Sequence, residues 1–169
     1  LNANILYKLE DYEDALFNFS RVIMNNPNNI DAHYFSGKCL VHIGDIIGAN
    51  KKFKDVLDID LYYHQSYFEI GKNFLEMENF SQSISYLKQA ILLDPENDTT
   101  YQYLGLAFYK TDKLINALES FERAVELNDE NYLNYYYLGV INDKILENDK
   151  AIGYYEQARE INRDFPEVN

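Results

Sequence analysis

The chain has 169 residues, 47% of them hydrophobic and 15% aromatic. That is too apolar for a disordered chain and long enough for one ordinary domain. Its 15 basic and 28 acidic groups give a formal charge of −13, which disfavours nucleic acid and anionic lipid as partners, because phosphate binding rests on Lys and Arg displacing counterions.

Helical periodicity predicts a short helix over 1–9 and a second over 12–25, closed by the turn-forming run Asn25-Asn26-Pro27-Asn28-Asn29. Helices follow at 31–43, 46–59, 65–77 and 80–93, the last closed by Asp94-Pro95-Glu96-Asn97. Four more are predicted at 99–111, 114–127, 133–145 and 148–161. The 3 Pro and 7 Gly are dispersed, so no linker divides the chain and one continuous unit is expected. Leu1 falls inside the first helical pattern, so a natural start upstream is the expectation.

The helices repeat. Tyr67, Ile70, Gly71 and Phe74 return 34 residues on as Tyr101, Leu104, Gly105 and Phe108, and again as Tyr135, Leu138, Gly139 and Asn142. A weaker copy precedes them at His33, Ser36, Gly37 and Leu40. A second set recurs at Ala15/Phe19, Ala49/Phe53, Ser83/Leu87, Ala117/Phe121 and Ala151/Tyr155. In each first helix of a pair the large residues lie at i, i+3 and i+7, with glycine at i+4, one stripe of a 3.6-residue period. A helical glycine costs about 1 kcal/mol against alanine. Its return at Gly37, Gly71, Gly105 and Gly139 therefore marks a neighbouring helix that packs too closely for a side chain.

These residues resemble the tetratricopeptide repeat, W-x2-L-G-x2-Y, then A-x3-F, then P, at a 34-residue period. The resemblance covers nearly the whole chain and implies an all-α, right-handed superhelix of about five repeats. Residues 1–165 are expected to form a single array, with repeats at 1–29 (partial), 30–63, 64–97, 98–131 and 132–165, and 166–169 beginning a following helix or tail. Pro27 and Pro95 fill the closing proline slot, whereas Leu61, Asp129 and Arg163 depart from it. His33 and Asn142 depart at packing positions.

The resemblance also implies a function: a protein-binding scaffold, with a partner segment held in the concave groove lined by the first helices. The alternative is the targeting arm of an enzyme, such as a transferase, whose catalytic domain lies outside these residues. Repeat positions 2, 5, 9 and 12 point away from the packing stripe. The candidate groove residues there are Asn4, Tyr7, Tyr34, Lys38, Phe68, Lys72, Gln102, Tyr109 and Tyr136. Counting Asp98 at the start of the fourth, the first helices carry five basic and five acidic groups, so the lining is near neutral and the acidity lies elsewhere. A partner with apolar anchors and a few carboxylates suits such a surface. Tyrosine at positions 5 and 12 is common in the family whatever it binds, so the aromatic column is either anchor or scaffold default. The chaperone-tail carboxylate clamp of the family has no match: the second repeat supplies Tyr34 and Lys38, then Glu69, then Thr99 and Tyr103. The asparagine ladder of the O-linked sugar-transferase superhelix is missing too.

No enzyme, metal or cofactor is expected. His33, His42 and His64 face different ways, with no ligand at metal spacing. The single cysteine, Cys39, reads as a packed residue without a catalytic constellation; it excludes an intrachain disulfide and fits a reducing, cytoplasmic setting. No apolar run reaches the roughly 18 residues of a membrane span. Asn18, Asn79 and Asn97 sit in glycosylation-type triplets that read as accidental. An array without a polar cap exposes its last apolar face, so self-association is expected through the fifth repeat, with Ile141, Ile145, Ile152 and Tyr155 partly uncovered.

Overall fold

A computed structural model describes residues 2–163 of the chain. Among them lie ten α-helices and no strand: α1 (Ala3–Lys8), α2 (Tyr12–Asn25), α3 (Ile30–Ile43), α4 (Ile46–Ile59), α5 (His64–Glu76), α6 (Phe80–Leu93), α7 (Asp98–Lys110), α8 (Leu114–Leu127), α9 (Tyr132–Lys144) and α10 (Asn148–Ile161). The expected tail at 166–169 lies outside the described residues. The second helices of the pairs have the bounds read from the sequence. First helices α5, α7 and α9 start and end one residue earlier, for reasons visible at both ends.

At the start, Asn97 and Asn131 cap α7 and α9 by accepting from Thr100 N (2.9 Å) and Leu133 N (3.1 Å). Asn29 does the same for α3 through Ala32 N at 2.8 Å. Such a cap contributes about 1 kcal/mol and fixes the first helical residue. At the other end the fifteenth residue of every repeat is left-handed. Gly44 holds φ 91° after α3, and Glu10, Glu78, Asp112 and Leu146 hold φ 62°, 57°, 56° and 63° in the other four repeats. Only Gly44 adopts this backbone freely.

The helices gather into two compact units, the residues up to Asn73 and those from Phe74 onward. In the first, α1 packs on α2, α2 on α3 and α3 on α4. Its core joins Ala3, Leu6, Ala15, Phe19, Ala32 and Cys39, and Phe53, Val56 and Ile70 are fully enclosed. In the second, α6, α7, α8, α9 and α10 pack each on the next, around Leu87, Ala107, Phe121, Leu138 and Ile141.

A first helix such as α3 or α7 thus lies between two second helices, and its buried surface is wider than the sequence stripe. Position 3 (Ala32, Ser66, Thr100, Asn134) and position 10 (Cys39, Asn73, Ala107, Ile141) are buried as well. This corrects the expectation that Ile141 is partly uncovered: it is enclosed, and Tyr155 is half-buried. The glycines are contact points. A Cβ on Gly37 would stand 2.6 Å from the Phe53 ring, and one on Gly105 2.9 Å from Phe121. The two departures from the repeat pattern are accommodated by hydrogen bonds. His33 Nε2 lies 2.8 Å from Pro27 O, and Asn142 Nδ2 donates to Leu138 O at 2.8 Å within its own helix.

Candidate functional site

In the residues up to Asn73 the candidate surface is carried by α1, α3 and α5. Asn4 is exposed, and Tyr7, Tyr34, Lys38, Phe68 and Lys72 are each half-buried. The packing is aromatic. Tyr7 meets Tyr12 and Phe35 edge to face at 5.7 and 5.3 Å, and Tyr34 touches Phe35, Phe53 and Tyr63 at 5.5, 5.6 and 5.4 Å. Rings held on several sides lose little further freedom when a partner covers them, which is the property of a good anchor.

The lysine of this surface is not free. Lys38 Nζ is paired with Glu69 Oε1, with 23% of the lysine side chain and 5% of the glutamate side chain exposed. The Tyr34 hydroxyl approaches the same oxygen at 3.4 Å. Burial first, and then the Glu69 charge, push the Tyr34 hydroxyl well above the usual phenol range. Burial raises Tyr7 too, with smaller contributions from Cys39, Tyr12 and Glu69. The sequence reading offered Lys38 to a partner's carboxylates; the structure commits that ammonium to an acid 31 residues on. Glu69 itself was not among the candidates. Its signal was present in the column of sixth positions, which reads Phe35, Glu69, Tyr103 and Tyr137, one carboxylate among rings.

In the residues from Phe74 onward the candidates are Gln102, Tyr109 and Tyr136. Gln102 is 9% exposed, and its Oε1 accepts from Asn131 Nδ2 at 3.4 Å, so it offers the least surface of the nine. Tyr109 and Tyr136 are half-buried and both meet Tyr137, at 5.7 and 5.3 Å. Lys144 Nζ lies 4.5 Å from the centre of the Tyr109 ring, a cation–π contact.

Of the other chemistry-bearing residues, Cys39 and His33 are buried and His42 is exposed. Cys39 is enclosed, and burial pushes its thiol up to about 11, far from the thiolate a nucleophile needs. His42 stacks flat on Tyr12 at 4.1 Å, while His33 Nδ1 lies 3.4 Å from Asp55. Among the described residues no three His, Cys, Asp or Glu side chains gather as metal ligands do, and no helix is long and apolar enough to cross a membrane.

Comparison with known proteins places this geometry. Residues 68–132 match a family model described as tetratricopeptide repeat. No curated protein sequence matches the chain. Among solved structures, MamA from Desulfovibrio magneticus RS-1 (residues 41 to the end) is 21% identical with a TM-score of 0.89, over 98% of this chain and 93% of that one. YrrB, described as a TPR protein with an unusual peptide-binding site, is 20% identical with a TM-score of 0.82, over 96% and 84%. PilF of Pseudomonas aeruginosa is 19% identical with a TM-score of 0.85, over 99% and 74%. At such identities the likeness is one of fold.

Proposed function

We propose that the chain is a protein-interaction scaffold, and not an enzyme, that holds a partner segment on its first helices; the match of residues 68–132 to the tetratricopeptide-repeat model and the fold shared with such proteins support this reading. We take residues 1–165 as a single array for this purpose. The observation that carries the reading is the set of half-exposed rings on α1, α3 and α5, Tyr7, Tyr34 and Phe68, of which Tyr7 and Tyr34 are packed against other rings. Asn4, Lys38 and Lys72 edge that row, and Gln102, Tyr109 and Tyr136 are the corresponding residues of α7 and α9. Such a fold binds peptides elsewhere: YrrB carries a peptide-binding site by description.

The test is a pull-down with the chain followed by titration of the partner found. Tyr34→Ala combined with Phe68→Ala is expected to weaken binding by about 2 kcal/mol or more, the scale of buried aromatic anchors. Glu119→Ala with Glu126→Ala, exposed on α8, is expected to leave it unchanged. An unchanged affinity in the first variant moves the binding surface away from the first helices.

A second copy of the chain is a further proposed partner. Ile145, Leu146 and Ile152 are 41%, 83% and 57% exposed, and apolar side chains left in water in one repeat favour association. Sedimentation across concentration tests it; a strict monomer that is unaltered by Leu146→Lys with Ile152→Lys refutes it.

A further inference from the structure

The sixth position of a repeat holds a ring that stacks on the phenylalanine of the preceding pair. Phe35 stacks on Phe19 with centroids 5.8 Å apart and planes 14° from parallel; Tyr137 stacks on Phe121 at 5.1 Å and 5°. In the third repeat that position is Glu69; the Tyr34 ring of α3 meets Phe53 within its own pair, tilted by 53°, as Tyr136 meets Tyr155 at 43° in the fifth repeat. A carboxylate thus occupies a place built for an aromatic. It is 4% exposed, so it has lost most of its hydration, and an ionised group so placed needs donors on both oxygens. It has them on one. Lys38 Nζ and, more weakly, the Tyr34 hydroxyl are both on Oε1, while Oε2 is buried with no hydrogen-bond partner.

An ammonium is a point donor and satisfies one oxygen; a guanidinium is a planar fork whose two parallel N–H groups match both oxygens of a carboxylate. Lys38 is the more exposed member of the pair, 23% against 5%, and its flexible stem can swing away toward solvent. Tyr34 and Tyr63, half-buried and 5.4 Å apart, are aromatic neighbours of the kind on which a guanidinium packs well. The net charge of −13 attracts a cationic segment and repels an acidic one.

We propose that Lys38 is a placeholder on Glu69, and that the partner segment carries an arginine whose guanidinium displaces the ammonium and bonds both carboxylate oxygens. The proposal rests on the first helices being the contact surface and names the chemistry they select: a basic side chain flanked by apolar ones. The carboxylates expected from the lysines of this face have no role in it.

The experiment is calorimetric titration of the intact chain with the blocked peptide Tyr-Leu-Arg-Leu-Tyr and its citrulline counterpart, which keeps the shape and loses the charge. The arginine peptide is expected to bind roughly tenfold tighter, the scale of one charge-assisted bidentate contact. Glu69→Gln is expected to abolish that preference. Lys38→Arg should abolish it as well, because the chain's own fork then fills both oxygens, with a melting temperature no lower than the parent's. If Glu69→Gln does not fold, the two peptides on the unaltered chain and the Lys38→Arg variant decide. Equal binding of both peptides, lost in Tyr34→Ala with Phe68→Ala, overturns the arginine proposal and leaves the contact surface standing. Undiminished arginine preference in Lys38→Arg, or no binding of either peptide, also overturns it.

Discussion

Two junctions of the chain share one plan and differ in one layer. In the first unit Gly37 of α3 presses on Phe53 of α4, and in the second Gly105 of α7 presses on Phe121 of α8. Above Phe121 lies the flat ring of Tyr137. Phe53 meets a tilted Tyr34, and the sixth position that Tyr137 fills in the second unit is held in the first by Glu69, paired with Lys38. The lower layer is determined by packing, because glycine and ring leave no space for a substitute. The upper layer is a choice: rings give dispersion and area burial without desolvating a charge, whereas an ion pair of this depth adds little to stability and often less than apolar residues of the same volume. The ion pair of the first junction therefore fits the arginine-binding role proposed above better than a stabilising one.

The largest expected effect falls on the shared layer and should be equal in the two junctions. Gly105→Leu and Gly37→Leu drive a side chain into a ring whose atoms stand 2.9 and 2.6 Å from the new Cβ, an overpacking that costs about 3 kcal/mol. Thermal melts of the two variants check it; a parent-like melting temperature in either breaks the shared plan.

The next effect should separate the junctions. Tyr137→Glu puts a carboxylate where Lys38 has no counterpart, since Leu106 stands at the ninth position of the fourth repeat. It is expected to cost about 2 kcal/mol in lost stacking and unpaired charge, and Leu106→Lys in the same chain should recover part of that. Conversely, Lys38→Leu with Glu69→Tyr copies the second junction into the first and is expected to be neutral or stabilising. Urea unfolding of the three variants measures both halves, and a large loss in the last would show the ion pair to be structural.

A smaller gain is expected at Asn134. It is fully enclosed, with neither amide atom hydrogen-bonded, at the third position where the first unit has Ala32. Asn134→Ala removes an unsatisfied polar group and should raise stability by about 1 kcal/mol. A drop on chemical denaturation would mean that the amide has a partner.

The smallest effects concern the left-handed residue that ends each first helix. Leu146, at φ 63°, is strained there, and Leu146→Gly should gain slightly under 1 kcal/mol, the backbone relief less the entropy that glycine loses on folding. Gly44→Ala, at φ 91°, should lose a similar amount. Melting temperatures moving in opposite directions are the expected result.

How much of this could be read from the residues follows from the range of each interaction. The bounds of α2, α4, α6, α8 and α10 came directly from spacing and turn residues, because helix initiation and termination are settled within a few residues. The starts of α5, α7 and α9 came out one residue late. For α7 and α9 the caps are Asn97, which the sequence pattern offers only as part of a turn, and Asn131, which no pattern singles out; each accepts from the backbone of its own helix. The left-handed fifteenth position was equally local and was missed because glycine marks it only at Gly44; aligning Glu10, Glu78, Asp112 and Leu146 beneath it would have found it.

The sequence by itself determined the 34-residue period, the helix pairs, the close-packed glycines and the aromatic column that includes Tyr7, Tyr34 and Phe68, because all of these are repeated patterns of volume and polarity along one helix. Only the tertiary structure decided that positions 3 and 10 are buried, that Gln102 turns under cover, and that Lys38 is paired with Glu69. Those outcomes depend on which second helices flank a first helix and how deep an atom lies between them. The sixth-position column shows that Glu69 is unusual; only its depth, with one oxygen held by Lys38 and the other left bare, shows what it lacks.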